Sequence, residues 1–259
     1  MRKLQRTDMH NYQDYTVQHI LDTPSCGVFL DMGLGKTVST LTALNELLYD
    51  RFDISRVLIA APKRVAEHTW HSEIEKWAHL SHLRISRVLG TERQRLEALK
   101  AKADIFIINR ENIAWLVTHY GGAFPFDCLV LDELSSYKNS GSSRFKALRM
   151  VRPKIKRVIG LTGTPAPNGI EDLWAQIYLL DMGERLGTTV SGFRTRYLVK
   201  DNEYAQFSKR VIRKGDSQQG EDYYEKKIYG KIEDICISMK ARDYLDLPER
   251  VDRVKEVIL

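Results

Sequence analysis

Short runs of β-branched and other apolar residues alternate along the chain with stretches whose apolar positions recur at helical spacing. The runs fall at residues 27–30, 57–61, 85–89, 104–108, 128–131 and 158–161. Several are continuously apolar instead of alternating, which predicts strands buried on both faces of a parallel sheet. The helical stretches fall at 36–49, 65–77, 92–101, 111–119, 142–151 and 170–180. Strand and helix in this alternation predict an α/β fold, a mostly parallel sheet flanked by helices and joined by right-handed crossovers. From about Thr188 the rhythm is lost. Residues 200–230 are polar and charge-mixed, and a helix is predicted over 221–240. The expected organisation is a sheet domain over 1–187 and a C-terminal helical extension over 188–259. There is no internal repeat and no low-complexity segment.

Composition narrows the class. Lys and Arg number 40 against 34 Asp and Glu, for a net charge of +6 over 259 residues. Apolar residues are 43% and charged residues 29%, which excludes collagen-like and wholly disordered chains. No apolar run approaches the roughly 20 residues that span a bilayer. The basic start, Arg2-Lys3 and Arg6, has no apolar stretch behind it and is not a secretory signal. The charge permits a nucleic-acid partner without demanding one. Cys26, Cys128 and Cys236 stand alone, with no C-x-x-C pair, so the expected setting is a reducing interior.

The first chemical signal is Asp31-Met32-Gly33-Leu34-Gly35-Lys36-Thr37, between a predicted strand and a predicted helix. Phosphate binding needs backbone N–H groups that point at the anion, so side chains must be absent where the loop bends. Gly33 and Gly35 meet that need. The helix start adds its positive dipole end, the Lys36 ammonium can reach β- and γ-phosphates, and the Thr37 hydroxyl can ligate Mg²⁺. The general G-x-x-x-x-G-K-[ST] template has its first Gly where this chain has Leu30.

The second signal is Cys128-Leu129-Val130-Leu131-Asp132-Glu133. A buried strand delivers two carboxylates at its C-terminal end, the edge where open α/β sheets bind ligands. Asp132 is suited to hold Mg²⁺ and Glu133 to orient or deprotonate the attacking water. With the upstream P-loop, the pair points to a nucleotide hydrolase.

Together these segments resemble the first RecA-like lobe of a superfamily-two helicase-type ATPase, and most closely the Swi/Snf class of DNA translocases. Asp31 to Thr37 resembles that class's motif I. Val57 to Arg64, followed by Trp70 and Glu73-Ile74-Glu75-Lys76-Trp77, resembles motif Ia and its helix. Ile107-Ile108-Asn109-Arg110-Glu111 stands in the place of motif Ib. Asp132-Glu133 with Tyr137-Lys138-Asn139 resembles motif II and its trailing lysine and asparagine. Leu161-Thr162-Gly163-Thr164-Pro165, with Asn168 and then Leu173-Trp174, resembles motif III. Tyr12-Gln13 resembles the upstream glutamine motif, and Leu247-Pro248-Glu249-Arg250 the segment leading toward a second lobe.

The resemblance implies ATP and Mg²⁺ as cofactors and DNA as partner, with duplex favoured over single strand. It implies that Gln13 reads adenine and that Met32, Gly33, Leu34, Gly35, Lys36 and Thr37 contact ATP. Thr37 and Asp132 would hold Mg²⁺, with Lys36, Asp132 and Glu133 catalytic. Ser135, Thr162, Gly163 and Thr164 would couple hydrolysis to lobe movement. Lys63, Arg64, Asn109, Arg110, Lys138 and Asn139 would face nucleic acid. Two departures stand out. The family's D-E-x-H is Asp132-Glu133-Leu134-Ser135 here, a hydroxyl where a histidine is usual, which bears on coupling and not on hydrolysis. The chain also stops at Leu259, where a second RecA-like lobe would begin. That lobe carries an arginine finger, worth roughly 10³ to 10⁵ in rate in related phosphoryl transfers. The expectation is an excised lobe, or one whose partner lobe lies on another chain, that binds ATP weakly and hydrolyses it poorly alone.

Between Leu134 and Ile170 there is no acidic residue but eight basic ones: Lys138, Arg144, Lys146, Arg149, Arg152, Lys154, Lys156 and Arg157. This reads equally as a surface for phosphates or a second lobe and as a solvated helix and turn. His68 and His71, then His79 and His82, have a spacing that invites metal, but no cysteine or carboxylate set completes a site. Trp70, Ile74 and Trp77 recur at helical spacing and read as core. Two other classes stay open, a P-loop NTPase without a nucleic-acid role and a catalytically silent nucleic-acid-binding module. The absence of long insertions points to the cytoplasm of a prokaryote or a phage-infected host.

Overall fold

The strands form where the apolar runs lie, and alternate side chains on them enter two different cores. In the computed structural model, which describes residues 2–201, 210–217 and 219–245, they are β1 (Ser25–Leu30), β2 (Val57–Ala61), β3 (Ile85–Val88), β4 (Ile105–Asn109), β5 (Cys128–Asp132) and β6 (Arg157–Thr162). Beyond them come β7 (Leu198–Lys200), β8 (Arg210–Ile212) and β9 (Cys236–Met239). Seven of these make one sheet in the order β3-β4-β2-β5-β6-β1-β9, every neighbouring pair parallel. Strands β7 and β8 pair antiparallel by themselves.

On one face of the sheet Val57, Ile59, Ile105, Ile107, Cys128 and Val130 meet helices α1 (Asn11–Asp22), α2 (Lys36–Tyr49) and α3 (Trp70–Lys76). On the other, Leu58, Phe106, Ile108, Leu129 and Leu131 meet α4 (Glu92–Leu99), α5 (Ile113–Tyr120), α6 (Ser143–Val151), α7 (Asp172–Asp181), α8 (Val190–Tyr197) and α9 (Tyr223–Tyr229). Two covered faces are why the central strands carry polar residues only at their ends, since each fully buried aliphatic side chain contributes roughly 1.5–3 kcal/mol. No helix among the described residues is long and apolar enough to cross a membrane.

All six expected strands are present. The helix expected over 221–240 is not. Helix α9 ends at Tyr229, and Cys236–Met239 is a parallel edge strand beside β1. The segment Ile235-Cys236-Ile237-Ser238-Met239 alternates apolar and small or polar residues, with Ile237 and Met239 buried, as a half-covered edge strand does. The sheet therefore draws a strand from beyond residue 188, and the region after it is mixed, with the β7–β8 pair beside two helices. The helix expected at 65–77 is broken into a π-helical turn (Val65–Thr69) followed by α3. Tyr12 and Gln13 lie on α1, a helix that the hydrophobic pattern did not single out. Residues Leu247 to Arg250 lie outside the described residues.

Because the sheet is parallel, every strand delivers its following loop to the same edge. That edge gathers Asp31 to Gly35 after β1, Lys63 and Arg64 after β2, Asn109 and Arg110 at the end of β4, Asp132 and Glu133 at the end of β5, and Thr162 to Thr164 at the end of β6.

Candidate active site

The loop after β1 bends through two left-handed glycines, Gly33 at φ +88° and Gly35 at φ +72°. Any side chain at these angles is strained. At Gly35 a Cβ would also collide with the Gln13 side-chain amide. Gln13 is buried, and its Oε1 accepts the backbone N–H of His10 at 2.9 Å, closing the first turn of α1. The loop is pinned by Leu34, which is fully buried, while Met32 is 88% exposed. Leu34 can therefore offer a ligand only its backbone. Gly35 caps α2, so the helix begins at Lys36 with its free N–H groups facing the loop.

The Lys36 ammonium donates to the carbonyls of Leu30 at 2.6 Å and Asp31 at 3.1 Å. Burial lowers its pKa, and the carboxylates of Asp132, Glu133 and Asp31 pull it back up. Asp132 shows the reverse. Burial raises its pKa and Glu133 adds to the rise, while the hydrogen bond from Trp70 and the charge of Lys36 oppose it. The sheet edge thus holds a half-buried cation and a half-buried carboxylate in one another's field.

Glu133 is one of the few non-glycine residues with positive φ, at +61°. This backbone twist turns its side chain toward β6. There its Oε1 accepts the hydroxyls of Thr162, at 3.0 Å, and of Ser135. Thr162 Oγ1 in turn accepts the backbone N–H of Thr164 at 3.1 Å. Gly163 lies against the P-loop, where a Cβ would stand 3.3 Å from the Leu30 carbonyl. Ser135, Thr162, Gly163 and Thr164 are thereby joined to Glu133 and to the loop after β1.

Thr37 and Asp132 suit Mg²⁺ in chemistry: both are hard oxygen donors, and Mg²⁺ is usually held by one or two protein ligands together with phosphate oxygens. The glycine cradle and the half-buried ammonium suit a polyphosphate. Three of the four histidines raised above are engaged elsewhere. His79 shares a hydrogen bond with the Thr42 hydroxyl at 2.9 Å, His71 lies 3.4 Å from Glu75, and His82 packs edge-on against Tyr49.

The six candidates for nucleic-acid contact divide into two groups. Lys63 and Arg64 are exposed after β2, with Lys63 4.0 Å from Glu67. Asn109 and Arg110 are held by Glu111 at 3.3 Å and 3.0 Å. Lys138 instead donates to Asp172 at 3.4 Å, and Asn139 Oδ1 accepts the Gly141 N–H. These two line a cleft of about 390 Å³ with Asn168, Arg194 and Arg210.

The basic run does not behave as one surface. Arg152 is buried and donates to the carbonyls of Leu179 at 2.7 Å and Ile155 at 3.0 Å. Arg157, also buried, donates to the carbonyls of Ile20 and Leu21, each at 3.0 Å, and pairs with Asp53. Lys156 pairs with Asp53, and Lys154 donates to Gly122. For Arg152 and Arg157 neither sequence reading holds, because both close off backbone carbonyls inside the fold.

Two sets of contacts at the site carry no signal in the sequence, one from Trp70 and one from Ala241 and Tyr244. Trp70, read as core, is fully buried but also donates its indole N–H to Asp132 Oδ2 at 3.0 Å. Asp31 accepts the Ala241 N–H at 2.9 Å, and Tyr244 packs its ring 5.0 Å from that of Tyr12. Helical spacing places Trp70 in the core but cannot show its polar edge. Nothing in the sequence pairs Asp31 with a residue so far downstream.

Residues 12–254 match the SNF2-related domain family. "Putative protein p41" of Acyrthosiphon pisum secondary endosymbiont phage 1 is 35% identical over 254 residues, covering 96% of this chain and 54% of that protein. "Helicase SWR1" of Candida glabrata is 33% identical over 174 residues, 64% of this chain and 12% of the helicase. The Sulfolobus solfataricus SWI2/SNF2 ATPase core, solved in complex with dsDNA, shares the fold with a TM-score of 0.70 at 22% identity, over 90% of this chain and 45% of that one. The chain spans about half the length of the phage relative. With a RecA-like sheet, a P-loop and a family match over nearly its whole length, the chain belongs to the SNF2-related domain family.

Proposed function

We propose that this chain is the ATP-binding lobe of a Swi/Snf-type DNA-dependent ATPase, coupling ATP hydrolysis to movement on DNA. The observation that carries this reading is the convergence of Lys36, Asp132 and the Glu133–Thr162 hydrogen bond at one sheet edge. Lys36 and the N–H groups from Gly33 to Thr37 hold the β- and γ-phosphates. Met32 and Leu34 border them, and Gln13, resting on Gly35, lies beside the nucleotide. Thr37 and Asp132 hold Mg²⁺, which when bound neutralises charge on the phosphate oxygens. Glu133 orients the attacking water and accepts its proton. Its oxygen is held by Thr162 and Ser135, so a change in charge at Glu133 alters the hydrogen bonding of the loop after β6. That loop is the route from hydrolysis to lobe movement.

Lys63, Arg64, Asn109 and Arg110 share the sheet edge with these groups and meet the DNA backbone. Lys138 and Asn139 do so from the neighbouring cleft. That the archaeal ATPase core was solved in complex with dsDNA favours duplex over single strand. Full turnover requires a second RecA-like lobe that supplies an arginine to the γ-phosphate. The relative from a phage favours the cytoplasm of a prokaryote or an infected host. The test is equilibrium binding of a fluorescent ATP analogue with Mg²⁺ to this chain. Binding that Lys36→Ala weakens at least tenfold supports the site, and binding that Lys36→Ala leaves intact contradicts it.

A further inference from the structure

Asp132 ends a buried strand, and one of its two carboxylate oxygens is already taken. The indole N–H of Trp70 donates to Oδ2 at 3.0 Å. Trp70 is wholly buried and sits on the first residue of α3, so its ring cannot swing away without opening the core that Leu41, Leu44 and Ile74 also form. The backbone before it explains how a core tryptophan faces a sheet edge. Residues Val65–Thr69 form a π-helical turn, which winds an additional residue into the coil. Each residue of a regular α-helix turns the chain by ~100°, so the wider turn shifts the register at Trp70, whose indole reaches Asp132 at the end of β5. Such turns are frequent at functional sites.

We infer that Trp70 is a positioning residue for Asp132: its indole N–H fixes one carboxylate oxygen and so aims the other at the bound divalent cation. This rests on the reading of Asp132 as a Mg²⁺ ligand. A carboxylate at the end of a strand can rotate about its terminal bond, and a hydrogen bond to one oxygen removes that freedom. The outer-shell partner of a metal ligand typically changes metal affinity by about 10- to 100-fold when removed. The same bond ties Asp132 to the segment that begins with Lys63 and Arg64, so the cation site and the exposed basic turn after β2 share one rigid element.

The experiment is a Mg²⁺ titration of fluorescent ATP-analogue binding to the full chain, unaltered and as Trp70→Phe, which keeps most of the ring and deletes the donor. The expected result is a Mg²⁺ half-saturation raised about tenfold, with nucleotide affinity in EDTA unchanged. Trp77→Phe is the control. Trp77 is buried in the same core but donates to Glu73 at 2.9 Å, and its loss leaves the Mg²⁺ dependence as it was. Should Trp70→Phe fail to fold, the ¹⁵N-indole spectrum of the unaltered chain gives the answer. The Trp70 resonance is expected to move when Mg²⁺ is added to the nucleotide complex, and the Trp77 resonance to stay. A Trp70→Phe titration that overlays the unaltered one, or an unmoved Trp70 resonance, overturns the role of Trp70 and leaves the site standing. Failure of the unaltered chain to bind the analogue at any Mg²⁺ concentration overturns the site reading and this inference with it.

Discussion

The hydroxyl of Thr162 donates to Glu133 Oε1 at 3.0 Å while its oxygen accepts the Thr164 N–H at 3.1 Å. One side chain therefore joins the carboxylate that ends β5 to the backbone of the loop that follows β6. Ser135, standing where relatives of this class usually place a histidine, donates to the same oxygen. Two hydroxyls, those of Thr162 and Ser135, thus hold one carboxylate oxygen of Glu133.

Thr162→Val keeps the shape and removes that donor. A hydrogen bond to a charged group is worth about 1.5–3 kcal/mol, so ATP turnover is expected to fall roughly 10- to 100-fold. Affinity for the nucleotide should change little, because Thr162 ends β6 and lies outside the glycine loop of residues 33–37. Steady-state turnover and analogue binding, measured side by side in a two-lobe protein carrying this chain, separate the effects. Equal loss in both contradicts a coupling role.

Gly35→Ala addresses the cradle. At φ +72° a Cβ costs about 1–2 kcal/mol, and here it also meets the Gln13 amide. Analogue binding should be lost while the thermal midpoint drops by only a few degrees, about 2–4 °C per kcal/mol in a chain of this size. Unchanged binding in a folded Gly35→Ala chain argues against phosphate contact at this loop.

Arg157→Met tests the reassignment of the basic run. Asp53 keeps Lys156 as a partner, but the two carbonyls that Arg157 serves lose their donors, at about 1–3 kcal/mol for each buried group left unsatisfied. Urea unfolding should show a loss of about that size, with duplex-DNA affinity unchanged once the protein is folded. Lys146→Ala, at an exposed position of the same run, should stay within about 0.5 kcal/mol.

Acid should weaken the fold by a stated route. Hydrogen bonds from Lys156 foremost, with Arg157, hold the Asp53 carboxyl below its ordinary range. Arg84 foremost, with Tyr49, does the same for Asp104. A depressed folded-state pKa contributes stability that is present above the unfolded value of about 3.9 and is lost as pH falls through the lower folded value. Urea midpoints should therefore fall from about pH 4 downward, and Asp104→Asn should flatten that slope. An unchanged slope in the variant contradicts the assignment.

Much of this was legible in the chain, for a physical reason. Central strands covered on both faces must be continuously apolar, so β2, β4, β5 and β6 announce themselves, and parallel pairing then gathers Lys36, Asp132 and Thr162 at one edge. Strand β9 was not legible as such. It follows a short charged helix, and its five-residue alternation is too brief to outweigh the helical pattern before it. Trp70 shows a different limit, since burial and helical spacing hide a donor whose acceptor is far away in sequence. Arg152 and Arg157 were misread because charge in a sequence suggests surface. Only the structure shows the carbonyls of Leu179, Ile20 and Leu21 waiting for them.

The most direct test of an ATP site at this sheet edge is ATP turnover with and without duplex DNA. It is measured on this chain joined to a second RecA-like lobe, unaltered and as Lys36→Ala and Glu133→Gln. The expected result is turnover that duplex DNA raises and either substitution abolishes, with Glu133→Gln still binding Mg²⁺-nucleotide and Lys36→Ala not. Turnover that survives Lys36→Ala, or that duplex DNA leaves unmoved in the unaltered protein, contradicts it.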